Sequence, residues 1–282
     1  NDVREKIAVM EQVFNQLATI DRHGIDRILY GRPFFSLELV VPQQGQQVFY
    51  YLAVPRRYLG SAEKLVQGVY PDATIEASQE YSIFAPTSRV SAGMARTRNR
   101  YLPIKSFQQM ESDPLSSLLN AFSKIAHTGE GMALQLICQR SASEWNHKLA
   151  RLTRHLRAGK TLSKALLDVN KNEFVKAFKS AMVTKSSDQN EKPNVDEEEK
   201  GVVNEGLVKI LESKATKTLF DTNIRLVAAA PTQERADQLL QELSTPFGQF
   251  SNEETNVIGI SKETGRSLQK VLYGYTFRIP DN

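Results

Sequence analysis

The chain has 282 residues, 40% of them apolar and 24% charged, with a net charge of +4 at pH 7. This is a globular composition, with enough length for one large domain or two ordinary ones. No apolar run reaches the length of a membrane-spanning helix, and the lone cysteine, Cys138, excludes a disulfide framework and a thiolate metal site.

The opening residues 1–14 are polar and amphipathic and carry no signal-peptide pattern. A start at Asn1 rather than Met is expected of a processed chain or a piece of a longer one. The mild positive charge permits contact with nucleic acid or anionic lipid without requiring it.

Val3, Ile7, Met10, Val13, Phe14 and Leu17 fall at helical spacing and predict an amphipathic helix over 2–20. Apolar residues alternate from Phe35 to Val41, as on a strand with one buried face. A second run covers Val48 to Val54, and the short turn containing Gly45 predicts an antiparallel hairpin. Leu59, Ala62, Leu65, Val66 and Val69 line one face of a helix that Pro71 stops. A third β-type run at 73–78 completes a ββαβ order. Residues 88–107 read as a strand with a polar face.

Asp113-Pro114 predicts a helix start, with the acid as cap and proline in the first turn. Leu115, Leu118, Leu119, Phe122 and Ile125 form its core face, and a buried strand follows from Met132 to Cys138. Residues 143–181 are helical and basic. Between Glu144 and Lys185, ten Lys or Arg stand against three acids, a net +7. Residues 186–200 hold one apolar residue besides proline and predict a loop or linker. The remainder reads as helix 205–220, strand 224–230, helix 232–243 capped by Thr232, strand 256–260 and helix 267–273. The expected organisation is an N-terminal α+β domain (1–142), a basic helical region (143–185), an acidic linker (186–204) and a C-terminal α/β subdomain (205–282). The expected fold class is α+β, with two ferredoxin-like ββαβ/αβ sandwich units.

Ala158-Gly159-Lys160-Thr161 ends like a phosphate-binding loop, but the glycine that the full pattern needs five positions earlier is Arg154, inside a helix. A helix break is the expected reading. His23, His127, His147 and His155 share no metal-ligand spacing, and no nucleophile elbow, Cys/His pair or paired carboxylates emerge. No catalysis, cofactor or metal is expected of this chain. On the basic helix, Trp145, Leu149, Leu152 and Leu156 are expected in the core, with Lys148, Arg151 and His155 on an adjacent face and Arg154 and Arg157 flanking. Such a cluster can bind phosphate backbones, remain solvated or pair within the chain. Phe34, Phe35, Phe49, Tyr50 and Tyr51 can offer a base-stacking platform, or fill the core.

Three segments carry a family resemblance. They are SLELVV with VFYYLAVPRRY and LVQGVYPDATIE, then YLPIKSFQQMESDPLSSLLNAFSKI with GEGMALQLICQRSASEW, and finally TNIRLVAAAPTQERADQLLQELSTPFGQF. They resemble the N-terminal, non-ATPase region of bacterial type IV secretion and conjugation coupling-type ATPases of the HerA/FtsK-like class. The resemblance implies a membrane-associated hexameric motor that moves DNA or protein, with this region as its assembly or substrate-handling domain on the cytoplasmic side of the cell membrane. Its implied partners are its own motor domain or secretion-system subunits. ATP and Mg belong to that motor, because this chain has no Walker A or Walker B sequence to receive them. The alternative is a stand-alone nucleic-acid-binding protein that uses residues 144–160 on DNA.

Overall fold

The computed structural model describes residues 2–19, 31–43, 45, 47–78, 81–106, 109–110, 113–125, 129–170, 204–253 and 255–281. The chain divides into two compact units, Asn1–Ser141 with Phe220–Asn282, and Ala142–Leu219.

The first unit is a mixed α/β structure on one six-stranded sheet. Helix α1 (Asp2–Leu17) precedes β1 (Phe34–Val41) and β2 (Phe49–Ala53), which pair as the expected hairpin, with Glu38 opposite Tyr51. Helix α2 (Leu59–Val69) ends two residues before Pro71. Strand β3 (Arg89–Thr97), helix α3 (Pro114–Phe122) and strand β4 (Gly131–Arg140) follow. Asp113 caps α3 as expected, its carboxylate accepting the Leu115 amide at 2.9 Å.

Residues 73–78 form no strand. Within that run only Ile75 is even partly buried, so a ladder there would cover almost nothing. The ββαβ order is therefore completed by β3 instead.

The sheet order is β2-β1-β4-β5-β3-β6, with every neighbouring pair antiparallel. Strands β5 (Phe220–Ala230) and β6 (Ile258–Lys262) come from the C-terminal segment, yet they lie in the same sheet as β1–β4. Strands expected in two units at 1–142 and 205–282 thus share one hydrogen-bonded layer. The physical reason lies in β4 and β5. Both are buried along most of their length, so each needs a partner on both edges, and they pair with each other from Gly131↔Ala229 to Arg140↔Phe220.

One face of the sheet is apolar. Leu134, Leu226 and Ala228 pack there with Leu118 and Phe122 of α3 and with Leu239, Leu240 and Leu243 of α6 (Gln233–Ser244). Phe35 and Cys138 continue that face toward Val13 and Leu17 of α1 and, partly buried, Leu65 of α2. A fully buried leucine contributes about 2 kcal/mol, so this face holds most of the apolar stabilisation. The opposite face is crossed by α7 (Gly265–Thr276), which brings Val271 and Tyr275 against Val40, Ala133 and Val227.

In the second unit, α4 (Glu144–Arg157) packs on α5 (Glu205–Thr216). Leu149, Leu152 and Leu156 are buried, as are Leu207, Val208 and Leu211. Asn146 Nδ2 donates to the Ala215 carbonyl at 2.7 Å, satisfying a carbonyl that the end of α5 leaves open. Gly159 closes α4 with φ of +81°, and Lys160 N–H donates to the His155 carbonyl at 3.1 Å, a left-handed cap that only glycine adopts freely. A further helical stretch covers 162–170. Basic residues from 171 to 185, linker residues 186–203, and His23 and His127 lie outside the described residues.

Candidate functional site

A row of side chains crosses all six strands at one level: Tyr51, Glu38, Gln135, Arg225, Met94 and Ser261 stand in successive register. The three central members are buried and polar. Glu38 is 2% exposed, Gln135 and Arg225 0%. Alternation placed Ser36 and Glu38 on the outer face of β1, and that outer face is covered by α7 and by residues 81–84 rather than by water. A strand buried on both faces must hydrogen bond every polar side chain it carries.

Glu38 is saturated. Its Oε1 accepts from Ser36 Oγ, from Gln135 Nε2 at 3.0 Å and from Arg278 Nε at 2.8 Å. Its Oε2 accepts from the Tyr81 hydroxyl at 2.6 Å and from Arg278 Nη2 at 3.0 Å. Burial pushes this carboxyl up, but the Arg278, Ser36 and Tyr81 hydrogen bonds outweigh burial and hold it below the ordinary carboxylate range. Burial and the neighbouring Tyr275 and Glu38 raise the Tyr81 hydroxyl, and burial raises that of Tyr275. Both phenols therefore stay protonated as donors, Tyr275 to Tyr81 and Tyr81 to Glu38.

Arg225 is the second ionic centre. Nη1 donates to Gln135 Oε1 at 3.0 Å, Nη2 donates to the Ile279 carbonyl, and Nη2 lies 3.2 Å from Asp281 Oδ2. Gly274 of α7 passes directly over it, where a Cβ would stand 2.8 Å from Nη2. Gln135 joins the two centres and also donates to the Tyr275 carbonyl at 3.0 Å. Periodicity missed this row because it treats each strand alone. A signal was nevertheless present: Glu38, Gln135 and Arg225 each interrupt an otherwise apolar run.

The predicted cationic positions of α4 sit on one element but differ in what they do. Lys148 lies 3.0 Å from Glu144, and its ammonium stands 5.0 Å from the Trp145 ring centroid. Arg151 donates to the Asp168 carbonyl at 3.3 Å, and Arg157 lies 2.8 Å from Glu212. Arg154 is exposed and makes no ion pair with a described residue. Burial, with Lys160, Arg151 and Arg154 nearby, lowers the His155 imidazole below its ordinary value, so His155 adds no charge at pH 7. Lys160 of the loop-like sequence lies 2.6 Å from Asp168 and follows the helix break at Gly159. Among the aromatics, Phe35 is buried against Phe14 and Phe220, and Tyr51 stacks on Tyr81 at 4.6 Å. Phe49 and Tyr50 are exposed, at 41% and 62%.

The fold and this row define a mixed α/β protein built on a single antiparallel sheet with an ionic interior. A family model described as a domain of unknown function, DUF8128, matches residues 3–269, and the chain belongs to that family. No curated protein and no solved structure matches it.

Proposed function

We propose that this chain is an assembly or substrate-handling domain of a type IV secretion or conjugative DNA-transfer ATPase, non-catalytic by itself and acting beside a separate motor domain. The observation that carries this reading is the full occupation of the Glu38 carboxylate, which already accepts five hydrogen bonds from this chain's own groups. A carboxylate so occupied anchors structure and is a poor general base. The segments that resemble the secretion ATPases supply β1, β2, β4 and β5, four adjacent strands of the sheet. The partners proposed are the motor domain and secretion-system subunits, with ATP and Mg held by the motor.

The test is co-purification of the chain with a HerA/FtsK-like motor domain encoded in frame with it or beside it. The reading expects a stable complex by light scattering and a changed ATPase rate. Two separate species with an unchanged rate would remove it.

The alternative, a stand-alone nucleic-acid-binding protein using α4, has less support. Lys148, Arg151 and Arg157 are already engaged within the unit, which leaves Arg154 as the exposed cation of the predicted set without such a partner among the described residues. Surface pairs are weak enough for a polyanion to displace, so titration with single- and double-stranded DNA at two salt concentrations distinguishes the readings. Salt-dependent binding lost on charge reversal at Lys148, Arg151 and Arg154 would favour the alternative.

A further inference from the structure

We propose that α7 and the tail behind it, residues 265–281, form a strap that opens from the sheet as a unit while the apolar face stays folded. Four observations lead there. First, α7 buries Val271, Gly274 and Tyr275, whereas α6 on the other face buries Ala236, Leu239, Leu240 and Leu243. Apolar burial is the larger and less directional stabilisation, so α6 is the more firmly held helix.

Second, beside the apolar contacts of Val271, Tyr275, Leu268 and Leu272, α7 and its tail are attached by buried polar contacts: Arg278 on Glu38, Gln135 on the Tyr275 carbonyl, and Arg225 on the Ile279 carbonyl and Asp281. Buried polar contacts hold a geometry tightly but contribute little net free energy against water. This interface is also incompletely satisfied: among the described residues Arg225 Nε and Asp281 Oδ2 are buried without a hydrogen-bond partner, although Asp281 Oδ2 lies 3.2 Å from Arg225 Nη2. Third, Arg278 sits at φ of +52°, a left-handed conformation unfavourable for a side chain with a Cβ. The Glu38 clasp holds it there, and release relaxes it. Fourth, the N-terminal joint of the helix pivots at a glycine, just beyond Glu263, whose carboxylate accepts from Ser267 Oγ of the first turn. Thr264 makes no side-chain cap bond and Gly265 lies at φ of +54°, whereas Thr232 caps α6 by accepting the Arg235 amide.

Opening about the Glu263–Gly265 joint would bring Tyr51, Tyr81, Phe84 and the Glu38–Gln135–Arg225 row into water together. The strap therefore gates an aromatic and ionic surface, with the Arg278–Glu38 pair as its one bidentate ionic clasp among the described residues.

Native-state hydrogen exchange at low denaturant tests this on the whole chain. Amides of Val271–Tyr275 are expected to exchange through a smaller opening than those of Leu239–Leu243. Arg278→Gln is expected to speed the α7 amides by about tenfold or more, since it removes charged hydrogen bonds that hold the tail behind α7 to β1. Equal protection of the two helices in the unsubstituted chain overturns the strap. So does no response of the α7 amides to Arg278→Gln. If Arg278→Gln does not fold, the comparison within the unsubstituted chain decides alone.

Discussion

Arg278 grips Glu38 from 240 positions away, with Nε 2.8 Å from Oε1 and Nη2 3.0 Å from Oε2. This fork-on-fork pair lies where β1, the middle of the sheet and the C-terminal tail meet. The strongest consequences of the fold run through it.

Removing the arginine leaves a carboxylate with no exposed side-chain surface and no counter-charge. Arg278→Ala is expected to destabilise the first unit by about 3 kcal/mol, the lower end for a broken buried pair because Arg278 itself is 30% exposed. Arg278→Lys should restore only part of this, since an ammonium cannot make two parallel bonds to one carboxylate. Urea denaturation of the three proteins is the check. A loss below about 0.5 kcal/mol for Arg278→Ala, the range of an ordinary surface change, would show that the pair is not a stability element.

The pH dependence follows from the same groups. Glu38 has a folded value below its unfolded value of about 4.3, so its contribution is complete above that pH and is lost as pH falls through the folded value. Asp237, held at about 2 by hydrogen bonds from Lys262, Ser91 and Gln233 against burial, acts in the same direction. Tyr81 and Tyr275 are raised, so their contribution is complete below about 10 and is lost as pH rises above it. Thermal midpoints are expected to be flat from about pH 5 to 9 and to fall on both sides. Glu38→Gln should be less stable at neutral pH and should show a shallower acid limb. An acid limb as steep in Glu38→Gln as in the parent would assign acid unfolding to other carboxylates.

Two glycines in helices should respond oppositely to alanine. At Gly274 the new Cβ meets the buried Arg225 guanidinium at 2.8 Å, and the overpacking is expected to cost about 1–3 kcal/mol. At Gly68 in α2 nothing lies within 4 Å, and alanine should stabilise by about 0.5–1 kcal/mol through helix propensity. Chemical denaturation of both variants measures the contrast. A stabilising Gly274→Ala would mean that α7 lies farther from Arg225 than this packing places it.

Cys138 is 7% exposed, and burial pushes its thiol up to about 11 despite the Thr222 hydroxyl beside it. As the chain's single cysteine it should resist a thiol reagent at pH 8 in the native state and react once denaturant unfolds β4. Stoichiometric labelling of the native protein within the dead time would contradict the packing of α1 on β1 and β4.

Local order was legible in the residues because local order is a matter of spacing and punctuation. Alternation announced β1 and β2, Asp113-Pro114 announced the start of α3, Thr232 announced α6, and Gly159 announced the end of α4. The 73–78 run misled because its side chains can form a strand, but only Ile75 has anything to bury against. The cationic face of α4 was visible as a composition. Its internal pairs were not, because Glu212 and Asp168 are brought to it by helix packing.

Residue spacing and capping were enough to place most of the helices and strands, 73–78 excepted, and to show which side chains are available. Tertiary structure alone decided that β4 and β5, separated by the whole second unit, pair in the middle of one sheet. It also decided that Glu38, Gln135 and Arg225 meet in one row under Arg278. The physical reason is range. Periodicity and capping act over a few residues, whereas a buried charge is acceptable only where distant strands and a returning helix supply its counter-charge and hydrogen bonds together.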